Sequence, residues 1–166
     1  MESTACQRIN YLDKSVPATR FEQKASCSRA DMVFFLWAAS GRPEPELQDL
    51  PFTDVSASAP YYKAVMWALQ QHIVAGTSAT TFSPDMLCTR AHAMTILWRA
   101  VGSPTEDAAG NDFNDVPCGK YYYQSVTWAA ANQITSGTSN VTFSPHRTIN
   151  RAEALTFLYI IKRPQP

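Results

Sequence analysis

Residues 52–101 return as residues 113–162 with 21 identities in 50 positions and no gap, and this repetition constrains the fold more than any other property of the 166-residue chain. Phe52-Thr53-Asp54-Val55 reappears 61 residues on as Phe113-Asn114-Asp115-Val116. The same shift carries Tyr61-Tyr62 to Tyr122-Tyr123, Trp67-Ala68 to Trp128-Ala129 and Gly76-Thr77-Ser78 to Gly137-Thr138-Ser139. It also carries Thr81-Phe82-Ser83-Pro84 to Thr142-Phe143-Ser144-Pro145, and Arg90-Ala91 to Arg151-Ala152. Fixed-period self-similarity of this kind marks a stacked-repeat architecture, whose units cannot bury their apolar faces alone.

A worn third copy lies upstream at the same spacing. Phe21, Cys27, Arg29, Ala30, Leu36, Trp37, Gly41 and Pro43 match Phe82, Cys88, Arg90, Ala91, Leu97, Trp98, Gly102 and Pro104. Its Phe-x-Asp-Val entry would fall before residue 1, and Glu22-Gln23 stands where Ser-Pro is expected. The chain therefore divides into a truncated first repeat over 1–45, a second over 46–106 and a third over 107–166, sharing one core.

Within a unit the periodicity predicts two helices. Tyr61, Val65, Trp67, Ala68 and Ile73 keep helical spacing over about 60–73, with Gly76 read as the terminator and Ser83-Pro84 as a turn. The second helix starts after Thr89, runs through Met94, Leu97 and Trp98, and stops at Gly102-Ser103-Pro104. Asn150-Arg151-Ala152-Glu153 is close to a capping box, Ser28-Arg29-Ala30-Asp31 keeps cap and acid, and Thr89-Arg90-Ala91-His92 loses the acid. The fold class expected is all-α, in tandem helical units.

Composition narrows the function. Fourteen basic and fourteen acidic side chains cancel, so neither a nucleic acid nor an anionic membrane surface is expected as partner. No apolar run approaches the roughly 20 residues needed to span a bilayer, so membrane insertion is not expected either. The first residues lack a basic start followed by an apolar stretch, so they read either as an intracellular start or as the cut edge of an exported protein. Cys6, Cys27, Cys88 and Cys118 form no CxxC pair and no metal spacing with His72, His92 and His146. Free thiols, no metal and no cofactor are the expectation. No HExxH, Gly-x-Ser-x-Gly or phosphate-cradling loop is present, and an enzyme is not expected.

The ordered run Phe-x-Asp-Val, Tyr-Tyr, Trp-Ala, Gly-Thr, Phe-Ser-Pro, Thr-Arg-Ala resembles the S-layer homology repeat, twice over 52–162 and partly over 12–43. The resemblance implies three helical units with pseudo-threefold symmetry, and a bacterial module that holds exported proteins on the cell wall. It would do so by binding pyruvylated secondary cell-wall polysaccharide in grooves between units. It also implies ligand contact by the motif arginines Arg29, Arg90 and Arg151, and by Asp54 and Asp115.

Elementary chemistry is compatible with that role. An Arg in the first turn of a helix stands beside unpaired N–H groups, an anion site, and offers a carboxylate a bidentate fork. Tyr62 and Tyr123 offer flat walls for a sugar ring, and Gly76 and Gly137 permit close approach. The same residues admit structural readings: Arg90 and Arg151 as struts to Asp54 and Asp115, the tryptophans as core, Phe82 and Phe143 as plugs under a loop. The alternative function is an intracellular protein-binding module or inhibitor on a reused scaffold, carried by a mobile element.

Overall fold

The computed structural model describes residues 22–105 and 110–163. Among these residues the regular structure is five helices: α1 (Arg29–Ala39), α2 (Tyr62–Gln70), α3 (Arg90–Ala100), α4 (Tyr123–Ala131) and α5 (Arg151–Lys162). Only isolated bridges join extended backbone, so the class is all-α as expected. The second and third units each supply a short helix followed by a longer motif helix. The first supplies α1, while Phe21 and the chain before it lie outside the described residues.

The residues just before the motif helices tie the units together. Cys27, Cys88 and Ile149 occupy equivalent positions 61 residues apart. Their backbones form a closed cycle: Cys27 N–H donates to Ile149 O (2.9 Å), Ile149 N–H to Cys88 O (3.0 Å), and Cys88 N–H to Cys27 O (2.8 Å). The three side chains are buried together on this axis. A cycle in which each unit donates to one neighbour and accepts from the other is the pseudo-threefold arrangement.

Each motif helix then starts on a side-chain cap. Ser28, Thr89 and Asn150 accept from the N–H of Asp31, His92 and Glu153, and the first and last complete capping boxes. Packing follows from the cycle: α1 lies against α2 and α5, and α3 against α4. One continuous apolar core runs through all three units. Phe82 and Phe143 are fully buried in it, as plugs. Trp37 and Trp128 are buried, and Trp67 and Trp98 are partly buried against the same core. Trp37 Nε1 donates to Pro43 O and Trp98 Nε1 to Pro104 O, both at 2.9 Å. The indoles are packing residues with their polar atom satisfied.

The helix-termination reading needs one correction. α2 and α4 end on His72 and Gln133, which take left-handed backbone at φ 56° in both cases. Ile73 N–H reaches Ala68 O and His72 N–H reaches Leu69 O, the paired closing bonds of a Schellman turn. Gly76 lies beyond this turn and serves crowding instead. A Cβ there would sit 2.2 Å from Ser78 O and 2.6 Å from the Phe52 ring. Gly102 does end α3 as the sequence suggests, at φ 91°, and a Cβ on it would meet open space.

These two glycines give opposite predictions to a backbone-only argument. Gly102→Ala is expected to cost about 1 kcal/mol, the left-handed penalty alone. Gly76→Ala, though free of that penalty, is expected to cost more, about 3 kcal/mol, because backbone and a buried ring must move. Urea unfolding of the two variants ranks them; equal costs would refute the crowding argument.

Candidate functional site

The Phe-x-Asp-Val aspartates are structural clamps within their own units. Asp54 accepts from Phe82 N–H through Oδ1 (2.8 Å) and from Ser83 N–H through Oδ2 (2.7 Å). Asp115 repeats this on Phe143 and Ser144 at 2.8 and 2.7 Å. The clamped serines carry positive φ, 58° and 61°, immediately before proline. A carboxylate receiving two adjacent N–H groups holds that strained turn in place. Burial would raise the Asp54 carboxyl, but the Phe82 and Ser83 N–H groups outweigh it and hold it below its ordinary value, with help from Arg29.

The motif arginines cross from one unit to the next, and they are not paired with these aspartates. Arg29 donates from Nε to Phe82 O (3.1 Å) and from Nη2 to Ala75 O (3.0 Å), lying 4.7 Å from the Phe82 ring centre. Arg90 donates from Nε to Phe143 O (2.7 Å) and from Nη2 to Thr135 Oγ1 (3.0 Å), 4.6 Å from the Phe143 ring. Arg151 instead faces Asp31 of the first unit, at 3.3 Å through both nitrogens. The strut reading therefore holds for position and fails for partner. Backbone carbonyls, the Thr135 hydroxyl and Asp31 receive the guanidiniums, because Asp54 and Asp115 are already committed to their own loops.

The helix starts also differ from the sequence expectation of unpaired N–H groups. Arg29 N–H donates to Met86 O and Ala30 N–H to Pro84 O; Arg90 and Ala91 donate to Arg147 O and Pro145 O; Arg151 and Ala152 donate to Ala25 O and Gln23 O. With the third N–H bonded to the cap side chain, the first turn of each motif helix offers a ligand no free donor.

Two grooves open on the described surface, the first between units and the second within the third unit. One, of about 190 Å³, is lined by Arg29 at the start of α1, Ala75 and Gly76 of the second unit, His92 and Arg99 of α3, and Tyr121 ahead of α4. The other, of about 830 Å³, is lined by Asn111, Asp112, Thr135, Ser136, Asn140 and Ile160 among others. Arg29 is partly exposed at its joint, whereas Arg90 is 4% exposed and sits beneath its own. Tyr121 is 58% exposed, and its ring lies 6.2 Å from that of His92.

Of the nine residues singled out in the sequence, the first groove gathers Arg29 and Gly76. Asp54 and Asp115 face their own loops, Arg90 is enclosed, and Arg151 pairs with Asp31. Tyr62 and Tyr123 are half-buried against the core, and Gly137 packs on the Phe113 ring. The groove adds His92, Arg99 and Tyr121. Repeat matching passes over these because the other copy has Glu153, Ile160 and, at the position equivalent to Tyr121, Pro60. Copy-to-copy differences are the signal that would have found them.

No group of His, Cys, Asp or Glu among the described residues could hold a metal ion. Cys27 and Cys88 are free and buried, and burial pushes the Cys88 thiol up to about 12, which makes it a packing residue rather than a nucleophile. Cys118 is free and exposed, and Cys6 lies outside the described residues. No helix among them is long and apolar enough to cross a membrane.

Helical units closed into a ring, with a groove where the first unit meets the second, define a tandem-repeat module. The family profile of the S-layer homology domain matches it twice, over residues 51–94 and 112–155, and the chain belongs to that family. It is similar to an endoglucanase of Bacillus sp. (strain KSM-635), 32% identical over 124 residues, which are 73% of this chain and 12% of that protein. It is also similar to a cell surface protein of Thermoanaerobacter kivui, 32% identical over 114 residues, 65% of this chain and 15% of that protein. The chain thus spans a small part of the length of either relative.

The aspartate clamp makes stability depend on acid. Asp54 is depressed in the folded state, so its stabilisation is full above the unfolded carboxyl value of about 3.9 and is lost as pH falls through the lower folded one. Asp54→Asn is expected to flatten the loss of thermal stability between pH 4 and pH 2. Asp115→Ala, which leaves the buried Phe143 N–H without an acceptor, is expected to lower stability by about 2 kcal/mol in urea unfolding at pH 7.

Proposed function

We propose that the chain is a non-catalytic anchoring module that holds a larger protein at the bacterial cell surface by binding an anionic wall polysaccharide between its units. The observation that carries this is the joint of the first and second units. It brings Arg29 and Arg99, an exposed tyrosine and a crowded glycine turn to one groove. That is a charged anchor, an aromatic face and close backbone approach, the parts a carboxylate-bearing saccharide requires. The relatives support the placement. An endoglucanase and a cell surface protein share the same small segment, so what they share is separable from glucan cleavage and fits attachment.

On this reading the units bounded at residues 45 and 106 act as one body, and pyruvyl ketals on the glycan supply the carboxylate. Arg29 presents its partly exposed guanidinium edge, and Arg99, exposed and one helix face away, closes the fork. Arg90 and Arg151 contribute by fixing the joints, through Phe143 and Asp31. The surface is the expected location, with the chain as part of an exported protein.

The test is retention of the purified chain on bacterial wall sacculi, with and without chemical removal of the secondary polysaccharide. Retention is expected to vanish with the polysaccharide. Arg99→Glu, a change at an exposed position, is expected to weaken it about tenfold, the scale of one charge-assisted contact. Retention equal on stripped walls would overturn the polysaccharide reading, and absence from every wall preparation would return the protein-binding alternative.

A further inference from the structure

The first-joint groove holds one residue that anchoring by arginine does not use. His92 is the third residue of α3, where the other two motif helices carry Asp31 and Glu153. Those acids reach back to the cap backbone: Ser28 N–H donates to Asp31 Oδ2 and Asn150 N–H to Glu153 Oε2, each at 3.0 Å. A histidine in this place gives up the capping box. Its ring lies in the groove wall beside the Tyr121 ring, and its Nδ1 is buried with no hydrogen-bond partner. An unsatisfied buried nitrogen in a groove wall is costly unless a ligand completes it.

The charge around the ring is of one sign. Arg29 faces it from α1, Arg99 from its own helix, and His146 from the loop of the third unit, which is itself stacked edge-on to Tyr122 at 6.0 Å. The Tyr121 hydroxyl and the Cys88 thiol are the other titratable neighbours; burial raises both, so both stay neutral from pH 5 to 8. Asp54 stands behind Arg29 and is tied to Phe82 and Ser83 N–H. No carboxylate lines the groove among the described residues.

We infer that His92 makes this groove an acid-strengthened anion site, in which a bound carboxylate is held by the arginines and by a protonated imidazole. The inference rests on the anchoring reading above and names how that site is regulated. In the empty groove, burial first and then Arg29 and His146 hold the imidazole below its ordinary value, so the ring is neutral near pH 7. An entering carboxylate cancels the repulsion and gives the ring an acceptor, so the imidazole value rises on binding. Binding therefore takes up a proton. The gain is complete below the free-groove value, itself under about 6.5, and disappears as pH rises through the higher value of the complex. The equivalent positions of α5 carry Glu153 and Ile160 in place of His92 and Arg99, so the third unit does not repeat this arrangement.

The test uses the whole chain and a methyl hexoside bearing a pyruvyl ketal, titrated calorimetrically from pH 5 to pH 8. Its carboxylate methyl ester serves as the uncharged control. The parent is expected to bind about tenfold tighter at pH 5 than at pH 8, one pKa unit of coupling, and the ester to show no slope. His92→Gln is expected to bring that ratio close to one, while His146→Gln keeps most of it. Should His92→Gln fold poorly, His92→Asn, which carries no titratable group, is expected to lose the acid-side gain in the same way. A flat parent profile, or an undiminished slope in either His92 variant, overturns the inference. Polysaccharide-dependent wall retention alongside a flat profile leaves the anchoring reading standing, whereas no binding to glycoside or wall at any pH defeats both.

Discussion

Three backbone hydrogen bonds, from Cys27 to Ile149, Ile149 to Cys88 and Cys88 to Cys27, set the geometry on which everything else rests. Each is worth only about 1 kcal/mol net, but together they register three helix starts around one axis. Once the starts are registered, the next two N–H groups of every motif helix meet carbonyls of the following unit's loop. The arginine that follows can then reach only across the joint. The first groove is what remains open beside such a joint.

This ordering explains which features were legible in the sequence. Helix positions were, because apolar spacing, caps at Ser28, Thr89 and Asn150, and the Gly102 stop are local signals. The buried roles of Trp37, Phe82 and Phe143 were legible for the same reason. The partners of Arg29 and Arg90 were not, because three of the four are carbonyl oxygens, of Ala75, Phe82 and Phe143, which every residue type possesses, and the fourth is the Thr135 hydroxyl, where the other copy has Val74. An expected salt bridge to Asp54 or Asp115 looked natural only while the N–H groups of Phe82 and Phe143 were left out of account. His72 ending α2 in left-handed backbone was equally silent, since glycine is the usual residue there.

The candidate site was legible in outline and obscure in composition. Repeat identities picked out residues common to both copies, and those proved to be mainly residues that hold the loops and joints. The residues that set the first groove apart, His92 and Arg99, are where the copies disagree. Folding demands sameness at the ring and tolerates difference at the rim. Chemical individuality therefore accumulates in the grooves, and the two described grooves present different surfaces: one cationic with an exposed tyrosine, one polar and neutral to acidic.

The cycle at Cys27, Cys88 and Ile149 also counts. In an open solenoid the last unit always presents an unmet edge, and another copy can be added to it. Here the third unit's donor and acceptor are returned to the first and second, leaving no vacancy on the axis. A fourth 61-residue copy would have to break a bond already made.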